Sequence, residues 1–349
     1  MSLRRYQLLP VCAVLGAVAL TACSGSGGTG GTGGSSDAKG DGDTGGVISL
    51  ADAKNVLRTY VKVNNAANTT QDTERTATVE SGALRSQSQA AFQQYPAWTK
   101  KEQADSETPF SYPVEGARFH IPPKGSAEFF MVDTRMTGEG IDKDRRRLLA
   151  FKQVVDEKAK SGKAWKAVAV GEITDGLPAV AEDGDGFATP VAATDAVGSL
   201  KAGDLVGLSQ DFYVTGGRKA AGAFTETDSV KAWKKAYAKR ASFTDDCVDG
   251  EYEAGSGGAD TAYGVKTRDG GALVLYDFGF VYKNWTKAEC PGSDLQLDDL
   301  PVVSKIYLNG RTTISNLSRS ESVMAMAVVP PSGKKVRVTG YEEQLTYAR

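Results

Sequence analysis

Leu273-Val274-Leu275-Tyr276-Asp277-Phe278-Gly279-Phe280-Val281-Tyr282 is the stretch that decides how this chain folds. Side chains alternate across a strand with period two. Val274, Tyr276, Phe278, Phe280 and Tyr282 therefore share one face, and Asp277 lies on the other with Leu273, Leu275 and Val281. The strand is read over Ala272–Trp285. Outward from it, the same alternation places strands at Val248–Ala254, Thr261–Thr267, Val302–Leu308, Val323–Val329 and Lys335–Ala348. In the last, Val336 and Val338 keep one phase while Tyr341, Leu345 and Tyr347 keep the other. Gly340 sits where the phase slips, as a bulge requires.

Upstream, the period becomes helical. Ala193–Val214 reads as a helical stretch stopped by Gly216-Gly217, and Thr227–Ala241 as a second helix with Trp233 and Tyr237 one turn apart. The same order occurs once before. Ser49 is an N-cap for a helix to about Asn68, and a second helical stretch covers Asp72–Tyr95 with an interruption near Gly82. Strands follow at Arg118–Ile121, Ala127–Met136, Leu148–Asp156 and Ala164–Ile173. Two rounds of helices followed by strands predict an α+β fold of two modules, each a helix pair packed on a curved antiparallel sheet. The expected modules are residues 47–175 and 191–349, joined by a Gly-, Asp-, Ala- and Pro-containing linker at 176–190.

The first 46 residues belong to neither module. Arg4 and Arg5 form a basic start, and Leu8–Leu20 is an apolar stretch. That stretch is shorter than the ~20 apolar residues a permanent membrane helix needs, and it has the length of a signal-peptide core. Leu20-Thr21-Ala22-Cys23 resembles the lipobox of bacterial lipoproteins: small residues fit the peptidase, and the thiol takes a diacylglycerol. Residues 1–22 are thus expected to be removed, leaving Cys23 as the acylated first residue. Residues 23–46, rich in Gly, Ser, Thr and Asp, form a flexible tether with ends ~26 Å apart. The expected location is the outer face of the cytoplasmic membrane, with a lipid anchor.

Charge and cysteine usage narrow the functions. With 41 basic and 43 acidic residues the chain is nearly balanced, and loss of Arg4 and Arg5 leaves a net charge of −4. That argues against a nucleic-acid partner. Of four cysteines, Cys12 leaves with the signal peptide and Cys23 is acylated. The remaining pair, Cys247 and Cys290, is expected to form a disulfide in an exported chain, contributing ~4 kcal/mol.

The lipobox, the Gly/Ser tether, Leu57-Arg58-Thr59-Tyr60, Asn64-Asn65-Ala66-Ala67-Asn68, Asp72 and Val79-Glu80-Ser81-Gly82 are together similar to a family of uncharacterised lipoproteins from high-GC Gram-positive bacteria. The element order also resembles the cone-shaped fold of the nuclear transport factor 2-like superfamily. That resemblance implies a concave sheet in each module and carries no catalytic residues to transfer.

Candidate chemistry is sparse. His120, the single histidine, alternates with apolar residues in Arg118-Phe119-His120-Ile121 and reads as a partly exposed structural residue rather than a catalytic base. No ligand set suits zinc, and no Gly-rich phosphate loop is present, so no metal or cofactor is expected. Asp245, Asp246, Asp294, Asp298 and Asp299 flank the two cysteines and read as solvated loop charge rather than a calcium site. Arg145-Arg146-Arg147, and Lys231, Lys234, Lys235, Lys239 and Arg240, read as solvated charge, with contact to anionic lipid or wall polymer as the alternative. Asp277 reads as the ion-pair partner of an Arg or Lys on a neighbouring strand and, alternatively, as the one ligand-binding candidate, a polar anchor in an apolar pocket. The function expected is a non-catalytic binding or scaffold protein of the envelope, its partner an envelope protein or cell-wall polymer. The alternative is an enzyme using Asp277 on a small or cell-wall-derived substrate in one cone.

Overall fold

The computed structural model describes residues 45–349 except 174–175, 241–243, 291, 293 and 298–299. The expected signal peptide, Cys23 and the expected tether up to residue 44 lie outside the described residues, as do Asp298 and Asp299.

The chain is α+β. Helix α1 (Leu50–Thr70) begins where the Ser49 hydroxyl accepts from the Asp52 N–H at 3.0 Å, and it ends at Gln71 in the left-handed region. Its buried stripe, Ala53, Leu57, Tyr60, Asn64 and Ala67, keeps helical spacing. After a single turn at Thr73–Thr76 comes α2 (Gly82–Gln94), then α3 (Lys100–Glu107), started by a capping box between Thr99 and Glu102. Strands β1 (Arg118–His120), β2 (Phe129–Arg135), β3 (Arg146–Val155) and β4 (Lys163–Ile173) form an antiparallel meander in that order.

The second sheet takes β5 (Pro190–Val191), passes through α4 (Asp204–Val214) and α5 (Asp228–Lys239), and continues with β6 (Val248–Ala254), β7 (Tyr263–Lys266), β8 (Ala272–Thr286), β9 (Asn316–Val329) and β10 (Arg337–Ala348). Its order is β10-β9-β8-β7-β5, with β6 paired to β8 as well. β6 takes Phe280–Thr286 and β7 takes Ala272–Leu275, so the residues between them on β8 lack a continuous edge partner. The slip at Gly340 is present: Gly340 opposes Met326, and Val338 opposes Ala327.

Both faces of β8 are covered, by different partners. Val274, Tyr276, Phe278 and Phe280 pack with Phe212, Tyr213 and Trp233 of the helices. Tyr213 stacks on Phe280 with centroids 3.9 Å apart, and Trp233 meets Phe278 edge-on at 5.6 Å. Each such ring contributes about 2–3 kcal/mol by leaving water. On the opposite face, Leu273, Leu275, Met324 and Met326 join Phe130, Leu149, Ala169 and Val170 of the first sheet in a single core. A Cβ on Gly171 would lie 2.8 Å from Leu275 Cδ2 and 3.2 Å from Met326 Cβ, so glycine there lets the sheets close. Arg147, 1% exposed, pairs across this junction with Glu342.

Helix α2 also spans both sheets. Gln87 Nε2 donates to Ser322 O (3.1 Å), Gln94 Nε2 donates to Leu345 O (2.6 Å), and Gln344 Nε2 donates to Gln94 Oε1 (2.9 Å). Residues 176–190, expected to be a linker, take part in the packing. Val180 and Ala188 are buried, Val180 bridges to Thr267, and the Ala188 N–H donates to Ile121 O.

Two element readings are corrected. Val302–Leu308 is helical, not a strand: Pro301 opens a short α-turn over Val302–Lys305, a 3₁₀ turn covers Ile306–Leu308, and Asn309 stops it at φ 51°. Ala193–Val214 is helical only from Asp204. Before that, Gly198 at φ 62° turns a two-residue hairpin between Ala196–Val197 and Leu200–Lys201.

Candidate functional site

Asp277 sits at the gap in the edge of β8. Where β6 ends and β7 has not begun, the chain through Ser256 and Gly257 folds over the strand. The Gly279 N–H donates to Ser256 O, and the Thr261 hydroxyl donates to the Asp277 carbonyl at 3.0 Å. A Cβ on Gly279 would come within 2.6 Å of Ser256 Oγ, so this crossing needs glycine. Along the same face of β8 and β9, the Leu275–Met326 pair is followed by Asp277–Met324 and then by Gly279–Ser322. The sheet surface becomes polar where α2 replaces the first sheet as its cover. The result is a cleft of about 410 Å³, lined on one side by Ser86, Gln89 and Gln93 of α2 and on the other by Asp277, Ser322 and Thr346.

The apolar pocket expected around Asp277 is therefore not its setting. The helix-side concavity of this sheet is filled by Phe212, Tyr213 and Trp233, and Asp277 faces the other way into a cleft of hydroxyls and amides. Asp277 is 8% exposed and has no ion-pair partner among the described residues. Burial pushes its pKa up to about 7, the Thr261 hydroxyl pulls it down, and the nearby Asp260 charge pushes it further up.

A second site escaped the sequence reading. Between α1, α2, the turn after α2 and β4 lies a cavity of about 50 Å³ whose walls combine rings, including Tyr60, Phe92, Trp98 and Tyr112, with amide, hydroxyl and carboxyl side chains. Glu80, 1% exposed, is at its floor. Glu80 Oε1 accepts from Asn64 Nδ2 at 2.7 Å and from the Tyr60 hydroxyl at 3.3 Å, while Oε2 has no hydrogen-bond partner. Burial drives the carboxyl up to about 8, against the pull of Ser88, Tyr60 and Asn64. The sequence signal was faint: Tyr60 and Asn64 stand one turn apart on the buried stripe of α1, but nothing local says that Glu80 meets them.

The other candidates resolve individually. Cys247 and Cys290 are joined by a disulfide, Cα–Cα 5.5 Å. Asp245 accepts from the backbone N–H groups of Cys247 and Val248, so its carboxylate caps a turn. No group of three or more His, Cys, Asp or Glu is placed to hold a metal among the described residues. His120 is buried at 7%, not partly exposed, and desolvation lowers its pKa to about 4, so it is neutral. The three arginines do not make a free cationic patch. Arg145 pairs with Glu172, Arg146 with Asp133, and Arg147 with Glu172 and Glu342. On α5, Trp233 is fully buried while Lys231 and Lys234 pair with Asp228 and Glu226.

Fold and site together define an α+β protein whose two main antiparallel sheets are joined through a common core, with a polar cleft at the junction. The chain belongs to a family described as a domain of unknown function, DUF8094, which matches residues 44–349. It is similar to an uncharacterized lipoprotein of Streptomyces coelicolor, 27% identical over 339 residues, covering 95% of this chain and 89% of that protein. No solved structure matches the chain. No helix among the described residues is long and apolar enough to cross a membrane.

Proposed function

We propose that the chain is a lipid-anchored binding protein on the outer face of the cytoplasmic membrane, tethered through acylated Cys23. The family match begins at residue 44, which supports a signal peptide (1–22) and tether (23–46) standing apart from the folded body. The similarity to a protein named as a lipoprotein supports the anchor. The folded body is proposed as two modules, 47–175 and 191–349, each with the helix-pair-on-sheet plan of the nuclear transport factor 2-like fold.

The observation that carries binding is the cleft over Asp277. Its hydroxyls and amides suit a neutral, hydrogen-bonding chain such as a cell-wall polymer, within the ~26 Å reach of the tether. An envelope protein segment is the other partner of that chemistry. The Cys23→Ser chain should leave the membrane fraction and co-sediment with isolated cell wall, unless Ser86→Trp fills the cleft. A chain that stays in membranes, or that sediments equally with the cleft filled, contradicts the reading.

A second reading is favoured by one observation: a carboxyl at about 7 in an open cleft is suited to moving protons near neutrality. If the protein is an enzyme on a wall-derived substrate, Asp277→Asn abolishes turnover and leaves binding.

A further inference from the structure

We propose that the cavity behind Glu80 is a ligand site for a small uncharged molecule with a compact apolar body and one hydrogen-bond acceptor, engaged by Glu80 Oε2. The proposal is independent of the Asp277 cleft and of the lipid anchor.

Three observations meet here. The first is the unpartnered oxygen. Glu80 is 1% exposed, and Oε1 already accepts from Asn64 and Tyr60. Burial favours the protonated carboxyl at neutral pH, Oε2 makes no hydrogen bond, and the Ser88 hydroxyl is the one other polar wall group beside the carboxyl. Buried polar groups in folded proteins are nearly always satisfied, so such an oxygen asks for a partner.

The second is the space. A cavity of about 50 Å³ exceeds the roughly 10–15 Å³ that one water needs. It has room for a molecule of a few heavy atoms without movement of the walls.

The third is how the other polar groups are spent. Asn64 Nδ2 is taken by Glu80, and Asn64 Oδ1 accepts from Asn68. Gln71 donates to Asn68 O, and Ser106 donates to Gln103 O. The Tyr95 hydroxyl donates to Glu107, which pins that ring beside Trp98 at the half-buried side. A buried water needs two to four polar partners, and several waters would find few here. One acceptor atom on an apolar body matches what is left. Glu80 is the only Asp, Glu, Lys or Arg among the lining residues, so nothing there compensates a charged ligand.

Molecules of four heavy atoms test this on the full folded chain: acetone (apolar with an acceptor), isobutane (no acceptor) and isopropylammonium (charged). Methyl-labelled methionine spectra give a local readout, because Met136 lines the cavity while Met324 lies in the inter-sheet core. Acetone should shift Met136 and leave Met324 in place, and should bind about tenfold tighter than isobutane, the worth of one buried hydrogen bond. Glu80→Gln, which keeps a neutral donor, should retain the preference, and Glu80→Met should erase it. If Glu80→Met does not fold, the comparison of probes in the native chain and in Glu80→Gln still decides. No Met136 shift with any probe, equal binding of acetone and isobutane, or tighter binding of isopropylammonium overturns the proposal.

Discussion

Glu80 and Asp277 carry the same physics in opposite settings. Each is a carboxyl that the fold removes from water without a cation beside it, so burial raises both. Asp277 was legible, because a charge breaking an apolar alternation is conspicuous in one strand. Its surroundings were not, since α2 covers it from nearly two hundred residues away. Glu80 was invisible for the same reason in reverse: its neighbours are set by how α1 packs. For Glu80 the sign of the pH effect is fixed. Its folded pKa, about 8, lies above its ordinary 4.5, so between these values the native state holds more protons than the unfolded chain. Its contribution to stability is therefore largest below pH 4.5 and is lost as pH rises to 8. The facing groups are Tyr60, Asn64 and Ser88, none charged near neutrality. Glu80→Gln should remove this slope. Urea unfolding at pH 5 and pH 8 should show the native chain losing up to about 4 kcal/mol relative to the variant. Equal pH dependence of both proteins would contradict a buried neutral acid.

At the scale of elements, strands with unbroken alternation read true. β6 falls on Val248–Ala254 as expected, and the bulge at Gly340 follows from the phase of the side chains alone. Stops read less evenly: Gly216-Gly217 does follow the end of α4 at Val214, but the stops around Val302–Leu308 go against the strand read there. Val302–Leu308 alternates like a strand, yet Pro301 before it and Asn309-Gly310 after it are helix punctuation that outweighs the pattern. Helix α2 falls inside the helical stretch read over Asp72–Tyr95, although its Ala, Ser and Gln make a weak apolar stripe. The structure gives the reason: the helix lies against two sheets, and its glutamines bond to backbone on the second. Close approach also explains Gly171. Gly171→Val should drive Leu275 and Met326 aside and cost about 1–3 kcal/mol in thermal or urea unfolding. Gly222→Ala, where a Cβ meets nothing within 4 Å, should stay within about 0.5 kcal/mol. Matching losses at the two positions would mean the sheets do not rely on that contact.

For the whole molecule, the sequence divides into two similar rounds of elements, but packing joins them. Leu273 and Met326 share a core with Phe130 and Val170, and the buried Arg147 reaches Glu342 on the last strand. No local pattern in either half could reveal that a face of β8 is completed by the other sheet. The cleft over Asp277 exists because of this junction, and the tether would present it to the envelope. The central claim is thus a chain fastened outside the cell by its first mature residue. Intact-mass measurement of the protein extracted from membranes tests it most directly. The account predicts a polypeptide beginning at Cys23, heavier by a diacylglycerol, with Cys247 and Cys290 oxidised. A chain beginning at Met1, or one cut elsewhere and carrying no lipid, would contradict it.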